Sequence, residues 1–264
     1  MSVGPQMVLL IDAGNTRIKW AMAGRERAGA GRWLHEGALA RGDAAQLADA
    51  WRALGPVHAA WVSNVAGPGL RDSLEASLKE AFGPGIAIEW FASTPERAGL
   101  RNGYRNPAQL GCDRFAAAIG ARSLFPGEDL LVATCGTATT IDAVSADGVF
   151  EGGMILPGLG TMATSLALST AQLPQIGEVA PPAQAFADNT VDAIVSGCIA
   201  AQAGAIEHAL AERRRARPGG ALRCLLAGGA GAVLAPHLAL GDVPLEKVDN
   251  LVLIGLHAAA TSGG

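Results

Sequence analysis

Near the N-terminus, Asp12-Ala13-Gly14-Asn15-Thr16-Arg17-Ile18-Lys19 combines a carboxylate, a tight turn, a hydroxyl and an ammonium. A turn at Gly14–Asn15 lets successive backbone N–H groups converge on a concavity suited to an anion. Thr16 adds a hydroxyl donor and Lys19 a mobile positive charge, both apt for phosphate oxygens. Asp12, at the C-terminal end of an apolar run, is placed to hold a hydrated Mg²⁺ that bridges phosphates. The same residues also suit an ordinary hairpin turn, because Asp, Gly and Asn favour turns for local reasons. The segment is not the G-x-x-x-x-G-K-[ST] phosphate loop.

A second cluster, Gly136-Thr137-Ala138-Thr139-Thr140, offers similar backbone donors and hydroxyls without a charge. It reads alone as a Thr-rich hairpin and, paired with the first, as half of a phosphate clamp. Gly228–Gly231 lets a base or ribose approach the backbone, or serves as a simple strand-to-helix turn. Asp113 is expected on a helix that starts at Pro107, is capped by Asn106 and runs to about Arg122. Its neighbours there are Gln109, Leu110, Ala116 and Ala117. A carboxylate on so apolar a face must be paired or functional. It is either a general base for a substrate hydroxyl or a structural partner of Arg114. Tyr104, in the polar turn before this helix, reads as a half-core residue or a ligand contact.

Positioning these groups needs strands that end in turns. Met7–Asp12 and Leu130–Thr134 are apolar strands, each followed by a Gly/Thr turn and a second strand, Ile18–Met22 and Ile141–Val144. The two copies lie half a chain apart, which points to duplicated domains, 1–127 and 128–264. Helices are expected at Ala44–Leu54, Leu70–Phe82, Thr161–Leu173 and Val191–Arg215, and strands at Ala59–Val65, Ile86–Trp90 and Arg223–Ala227. Gly152–Gly160 reads as a loop and Ala180–Pro182 as a linker. The mixture argues an α/β class.

Composition narrows the partners. The 264 residues carry 20 Lys+Arg against 24 Asp+Glu, a net charge of −4, which argues against a dedicated nucleic-acid binder. Half the residues are hydrophobic and 17% charged, which excludes a largely disordered chain. Cys112, Cys135, Cys198 and Cys224 are too widely spaced for a zinc site. The N-terminus does not read as a signal peptide, and no segment reads as a membrane span, so a cytoplasmic protein is expected. The five histidines fall in no metal or triad pattern. Arg213–Arg215 reads as a solvated basic helix end.

With both hairpins and Asp113 in view, the chain resembles type III pantothenate kinase, the Bvg accessory factor family. D-A-G-N-T-R-I-K at 12–19, L-G-C-D-R at 110–114 and G-T-A-T-T-I-D at 136–142 carry the resemblance. G-G-M-I-L-P-G at 152–158, N-T-V-D-A-I-V-S-G at 189–197 and L-A-G-G at 226–229 extend it over nearly the whole chain. The resemblance implies two related RNase H-like domains of the actin/Hsp70/sugar-kinase fold, with ATP in a cleft between them. It implies ATP-dependent phosphorylation of pantothenate, with a nucleotide-binding accessory role or another hydroxy-acid substrate as the rival readings. Asp12, Gly14, Asn15, Thr16 and Lys19 then match the first phosphate loop, and Gly136 and Thr137 the second. Tyr104, Gly111, Cys112, Arg114 and Thr190 match substrate contacts, and Asp113 the base. Family members are homodimers with an active site completed at the interface, and need K⁺ or NH₄⁺. Here the chain departs: Thr134 stands where the family carries an Asp ligand for that cation.

Overall fold

The protein is described as a computed structural model covering residues 6–25, 31–170, 172–176 and 184–262. Along the chain run β1 (Met7–Ala13), β2 (Arg17–Gly24), β3 (His35–Ala40), α1 (Leu47–Arg52), β4 (Ala59–Asn64), α2 (Pro68–Phe82) and β5 (Ala87–Trp90). Next come β6 (Glu96–Arg97), β7 (Leu100–Asn102), α3 (Cys112–Leu124), β8 (Asp129–Cys135), β9 (Ala138–Val144) and β10 (Val149–Pro157). The rest are α4 (Leu159–Ser169), α5 (Thr190–Ala216), β11 (Leu222–Ala227), α6 (Gly231–Leu234), β12 (Leu245–Lys247) and α7 (Leu251–Thr261).

Packing divides the chain into two compact units. The first holds the residues up to Pro126, Gly148–Phe150 and those from Asn250 on; the second holds Gly127–Asp147 and Glu151–Asp249. In the first, the sheet order is β3-β2-β1-β4-β5. β1, β2 and β3 pair antiparallel, and β1, β4 and β5 parallel. The second repeats the pattern as β10-β9-β8-β11-β12, with β8–β9 antiparallel and β8, β11 and β12 parallel. The duplication visible in the two Gly/Thr turns is therefore a duplication of topology.

Alternation along the strands decides which face carries chemistry. In the first unit Leu9, Ile11, Ala13, Ile18 and Trp20 pack with Leu47 and Trp51 of α1 and Leu70, Leu74 and Leu78 of α2. Asp12, Lys19 and Ser63 project from the opposite face, and Asp12 is in register with both of the others. That face is covered by α3 and α7. These helices meet at glycines: a Cβ on Gly255 would lie 1.7 Å from the Ala116 carbonyl oxygen, and one on Gly120 2.5 Å from that of Leu251. Close approach of the two backbones sets α3 at a fixed depth over the sheet.

Four sequence expectations change. The helix expected from Pro107 is a short 3₁₀ turn at Pro107–Gln109, where Asn106 accepts from the Ala108 N–H, and α3 begins only at Cys112. Leu110 is extended (ψ 129°) and breaks the two apart. The segment read as a loop at 152–160 is the end of β10 and the start of α4, which stops at Ser169 rather than near Leu173. Arg213 is no solvated end residue: it is 7% exposed and donates to Asp129 at 2.8 Å, with a second pairing to Glu151. Arg214 and Arg215 are exposed. The linker read at Ala180–Pro182 lies outside the described residues. α5 is apolar enough and long enough to cross a membrane, yet half of its most apolar stretch is buried inside the second unit.

Candidate active site

In the first unit the β1–β2 turn closes with Gly14 N–H donating to the Arg17 carbonyl at 3.1 Å. Asn15 and Thr16 are exposed at its tip. The Thr16 carbonyl accepts from Arg41 N–H at 2.9 Å, and Ala13 accepts from Val65 N–H at 3.2 Å, so the turn is tied to two neighbouring segments. Asp12 ends the strand beneath it. Burial is the main cause that pushes its carboxyl up to about 7; the negative charge of Asp113 adds to this and Lys19 opposes it. Asp12, Lys19 and Asp113 are thus one electrostatic group.

Asp113 lies in the first turn of α3, not mid-helix, where the positive end of the helix dipole favours its negative charge. One carboxylate oxygen accepts from Arg114 N–H at 2.8 Å. Burial still raises its pKa above the ordinary carboxylate value, against that hydrogen bond and the Arg114 charge. A Cβ on Gly111 would come 2.7 Å from the same oxygen, so this glycine leaves room for the carboxylate. Cys112 turns inward: its Sγ lies 3.4 Å from Ser63 Oγ and 3.7 Å from the Asn64 carbonyl. Burial raises the thiol pKa, so it stays protonated and pins the helix start to β4. Arg114 is buried, and its guanidinium donates to Tyr104 Oη at 2.8 Å. The Tyr104 ring meets Phe150 edge-on, with centroids 5.6 Å apart. Gly111, Cys112, Asp113, Arg114 and Tyr104 are thereby held as one cluster.

In the second unit the Gly136–Thr137 turn is exposed and clamped from below. Gly158 N–H and Thr161 Oγ1 donate to the Thr137 carbonyl at 2.9 and 2.7 Å. Ala230 N–H donates to the Cys135 carbonyl at 3.1 Å. A Cβ on Gly158 would lie 1.9 Å from the Gly136 carbonyl oxygen, and one on Gly228 2.3 Å from that of Cys135. Gly158→Ala is therefore expected to force the turn out of place. The expected cost is about 1–3 kcal/mol in stability and a rise of about tenfold or more in the KM for nucleotide, since precisely held donors are lost. Thermal melting and initial-rate kinetics check this; an unchanged nucleotide KM would show that the turn does no phosphate work.

Thr190 opens α5 after the Asn189 cap, whose side chain accepts from Asp192 N–H at 3.0 Å. It lines an open groove of about 740 Å³ with Met162, Leu166, Leu173 and Ile194. Thr134 faces Thr140 on β9 and Ala227 on β11, so its cross-strand partners bring no carboxylate. Among the described residues no three His, Cys, Asp or Glu side chains cluster as a metal cage. Sequence reasoning assigned no role to Ser63, Thr161 and Asn250 and quoted Gly158 only within a motif; their partners are far away in the chain.

The duplicated sheets, each with a hairpin turn at the end of its first strand, are the architecture of the actin/Hsp70/sugar-kinase class. A candidate 2-dehydro-3-deoxygalactonokinase from Sinorhizobium meliloti superposes with a TM-score of 0.58 at 17% identity, covering 96% of this chain and 98% of its own. A candidate Baf family transcriptional activator from Campylobacter jejuni gives 0.57 at 20%, covering 94% of each chain. The particular family follows from sequence: residues 8–212 match the type III pantothenate kinase model, and the chain belongs to that family. Relatives described as type III pantothenate kinase include one from Herminiimonas arsenicoxydans, 57% identical over 96% of this chain and 97% of its own. Another, from Janthinobacterium sp. (strain Marseille), is 56% identical over the same shares. The activity is ATP-dependent phosphorylation of pantothenate, a step of coenzyme A biosynthesis.

Proposed function

We propose that Asp113 is the base of this reaction and that the Asp12, Lys19 and Asp113 grouping is its centre. The observation that carries the reading is that Lys19 stands opposite Asp12 across the β1–β2 ladder while the negative charge of Asp113 adds to burial in raising the Asp12 pKa. Asp113 accepts the proton of the primary hydroxyl of pantothenate as that oxygen attacks the γ-phosphorus and ADP leaves. The N–H groups of the Gly14–Thr16 and Gly136–Thr137 turns, with Lys19, receive phosphate oxygens. Gly111, Cys112, Arg114, Tyr104 and Thr190 position pantothenate.

A buried carboxylate whose proton affinity is raised by a second one is a fitting partner for a divalent cation. With no three-ligand cage nearby, the fit is to Mg²⁺ that keeps waters and phosphate oxygens as its other ligands. Bound there, Mg²⁺ would neutralise phosphate charge. The K⁺ or NH₄⁺ site does not fit: a neutral hydroxyl stands at Thr134 between Thr140 and Ala227. No step is routed through such a cation. A homodimer is supported by the exposed Leu166, which lines the Thr190 groove, and by the exposed Val191 next to Thr190 in α5, and a cytoplasmic setting by the four free cysteines.

The test is pantothenate-dependent ADP release by the purified protein, with the product phosphate located by ³¹P NMR, across a monovalent-cation series. Turnover is expected with Tris as the sole monovalent cation. Release that appears only after K⁺ or NH₄⁺ is added would overturn the Thr134 reading; no release at all would overturn the residue roles.

A further inference from the structure

Asn250 is the residue at which the chain leaves the second unit, after Asp249, and re-enters the first to begin α7. Its backbone is left-handed, φ 56° and ψ 35°; Ala98 is the other described non-glycine residue with positive φ. An Asn before a helix ordinarily spends its side chain capping first-turn N–H groups. This one makes no such bond. Its Oδ1 instead accepts from Lys19 Nζ at 3.3 Å, and its Nδ2 donates to Glu36 Oε2 at 3.1 Å.

The partners come from distant parts of the chain and converge on one face. Lys19 pairs with Asp12 across the β1–β2 ladder and with Ala38 across β2–β3. Glu36 pairs with Ala21 two residues along, so it shares the face of Lys19. The amide lies with its acceptor towards the ammonium and its donor towards the carboxylate, an orientation that reversal would spoil at both ends. A lysine head group on a four-carbon stem is otherwise free to sample many rotamers.

We propose that Asn250 is a positioning residue for Lys19: its amide, oriented by Glu36 and carried on a left-handed backbone, holds the ammonium at the mouth of the Asp12 turn for an incoming nucleotide phosphate. The inference rests on Lys19 being a phosphate contact. The backbone is spent on aiming the side chain, which is why Asn, able to adopt this conformation and to bond through both ends of its amide, stands here.

Asn250→Gly isolates the side chain, because glycine keeps the left-handed backbone without strain. Binding of a non-hydrolysable ATP analogue, read by calorimetry, is expected to weaken by about tenfold, the scale of one hydrogen bond to a charged group. The KM for ATP should rise by a similar factor, with kcat and the KM for pantothenate changed less than about twofold to threefold. Asn250→Asp, which still offers Lys19 an acceptor, should recover most of the loss. In a Lys19→Ala background Asn250→Gly should add nothing further. Wild-type analogue affinity in Asn250→Gly overturns the proposal, as does an equal loss with and without Lys19. If the unsubstituted protein binds the analogue but does not phosphorylate pantothenate, the residue roles fail while this comparison still stands. Failure of the unsubstituted protein to bind the analogue overturns both.

Discussion

Replacing Asp113 with Asn should lower kcat by about 10²–10⁴ while leaving the fold and the pantothenate KM nearly unchanged. The amide has the shape of the carboxylate and can still accept the Arg114 N–H, so the first turn of α3 keeps its geometry. What it loses is the ability to take the hydroxyl proton. Gly111 accommodates either side chain equally. The acid limb of the rate profile carries a second signature. Burial raises the Asp113 pKa above its ordinary value, so activity should fall with decreasing pH earlier than an exposed carboxylate would dictate. The residual activity of Asp113→Asn should lack that part of the limb. Initial rates from about pH 5 to 9 for both proteins, with circular dichroism as the fold control, decide it. Full activity in the variant removes Asp113 from the chemistry.

What the sequence allowed to be read was local. A Gly/Thr turn between two β-rich runs is complete within a dozen residues, so both hairpins and the chain's duplicated character were legible. α2 and α5 carry their own periodicity and were placed within one or two residues. Elements whose reason is remote were not legible. β10 contains Gly152 and Gly153 and ends at Pro157, a composition that imitates a loop; only its sheet neighbours make it a strand. β3 is a partly exposed edge strand with no clean alternation. α7 is apolar on nearly every side, and its packing on α3 depends on Gly255 meeting Ala116 across the chain. The start of α3 misled because Asn106–Pro107 is a true capping signal that is used by a single turn. That shift matters for the site, since it moves Asp113 from an apolar helix flank to a helix N-terminus. Asn250 gave no signal at all: its partners Lys19 and Glu36 lie 231 and 214 residues away.

Asp12→Asn should stabilise the free protein at alkaline pH while nearly abolishing turnover. In the folded chain the Asp12 carboxyl titrates at about 7 against 3.8 for the ordinary group, chiefly through burial and then through Asp113. Below about pH 4 both folded and unfolded chains carry the proton, and the residue costs nothing. As pH rises from there, the unfolded chain releases its proton while the folded one retains it, so the balance moves towards unfolding. The penalty grows until pH passes the folded value, at roughly 1.4 kcal/mol per unit of difference and about 4 kcal/mol at most. Asn removes the ionisation, so the melting-temperature gain of the variant should be near zero at pH 4 and several degrees at pH 8. Mg²⁺ with an ATP analogue should raise the melting temperature of the unsubstituted protein at pH 8 far more than that of the variant, because binding to the ionised carboxylate opposes the same penalty. Turnover should drop by roughly 10³ or more, the scale of losing a metal that neutralises phosphate charge. A melting-temperature difference that stays flat between pH 4 and 8 would mean Asp12 ionises as an ordinary carboxylate. On the role proposed for Asp12, the position is a compromise between folding and function: the burial that makes the carboxylate costly in the free protein would give a cation and phosphates something to gain by arriving.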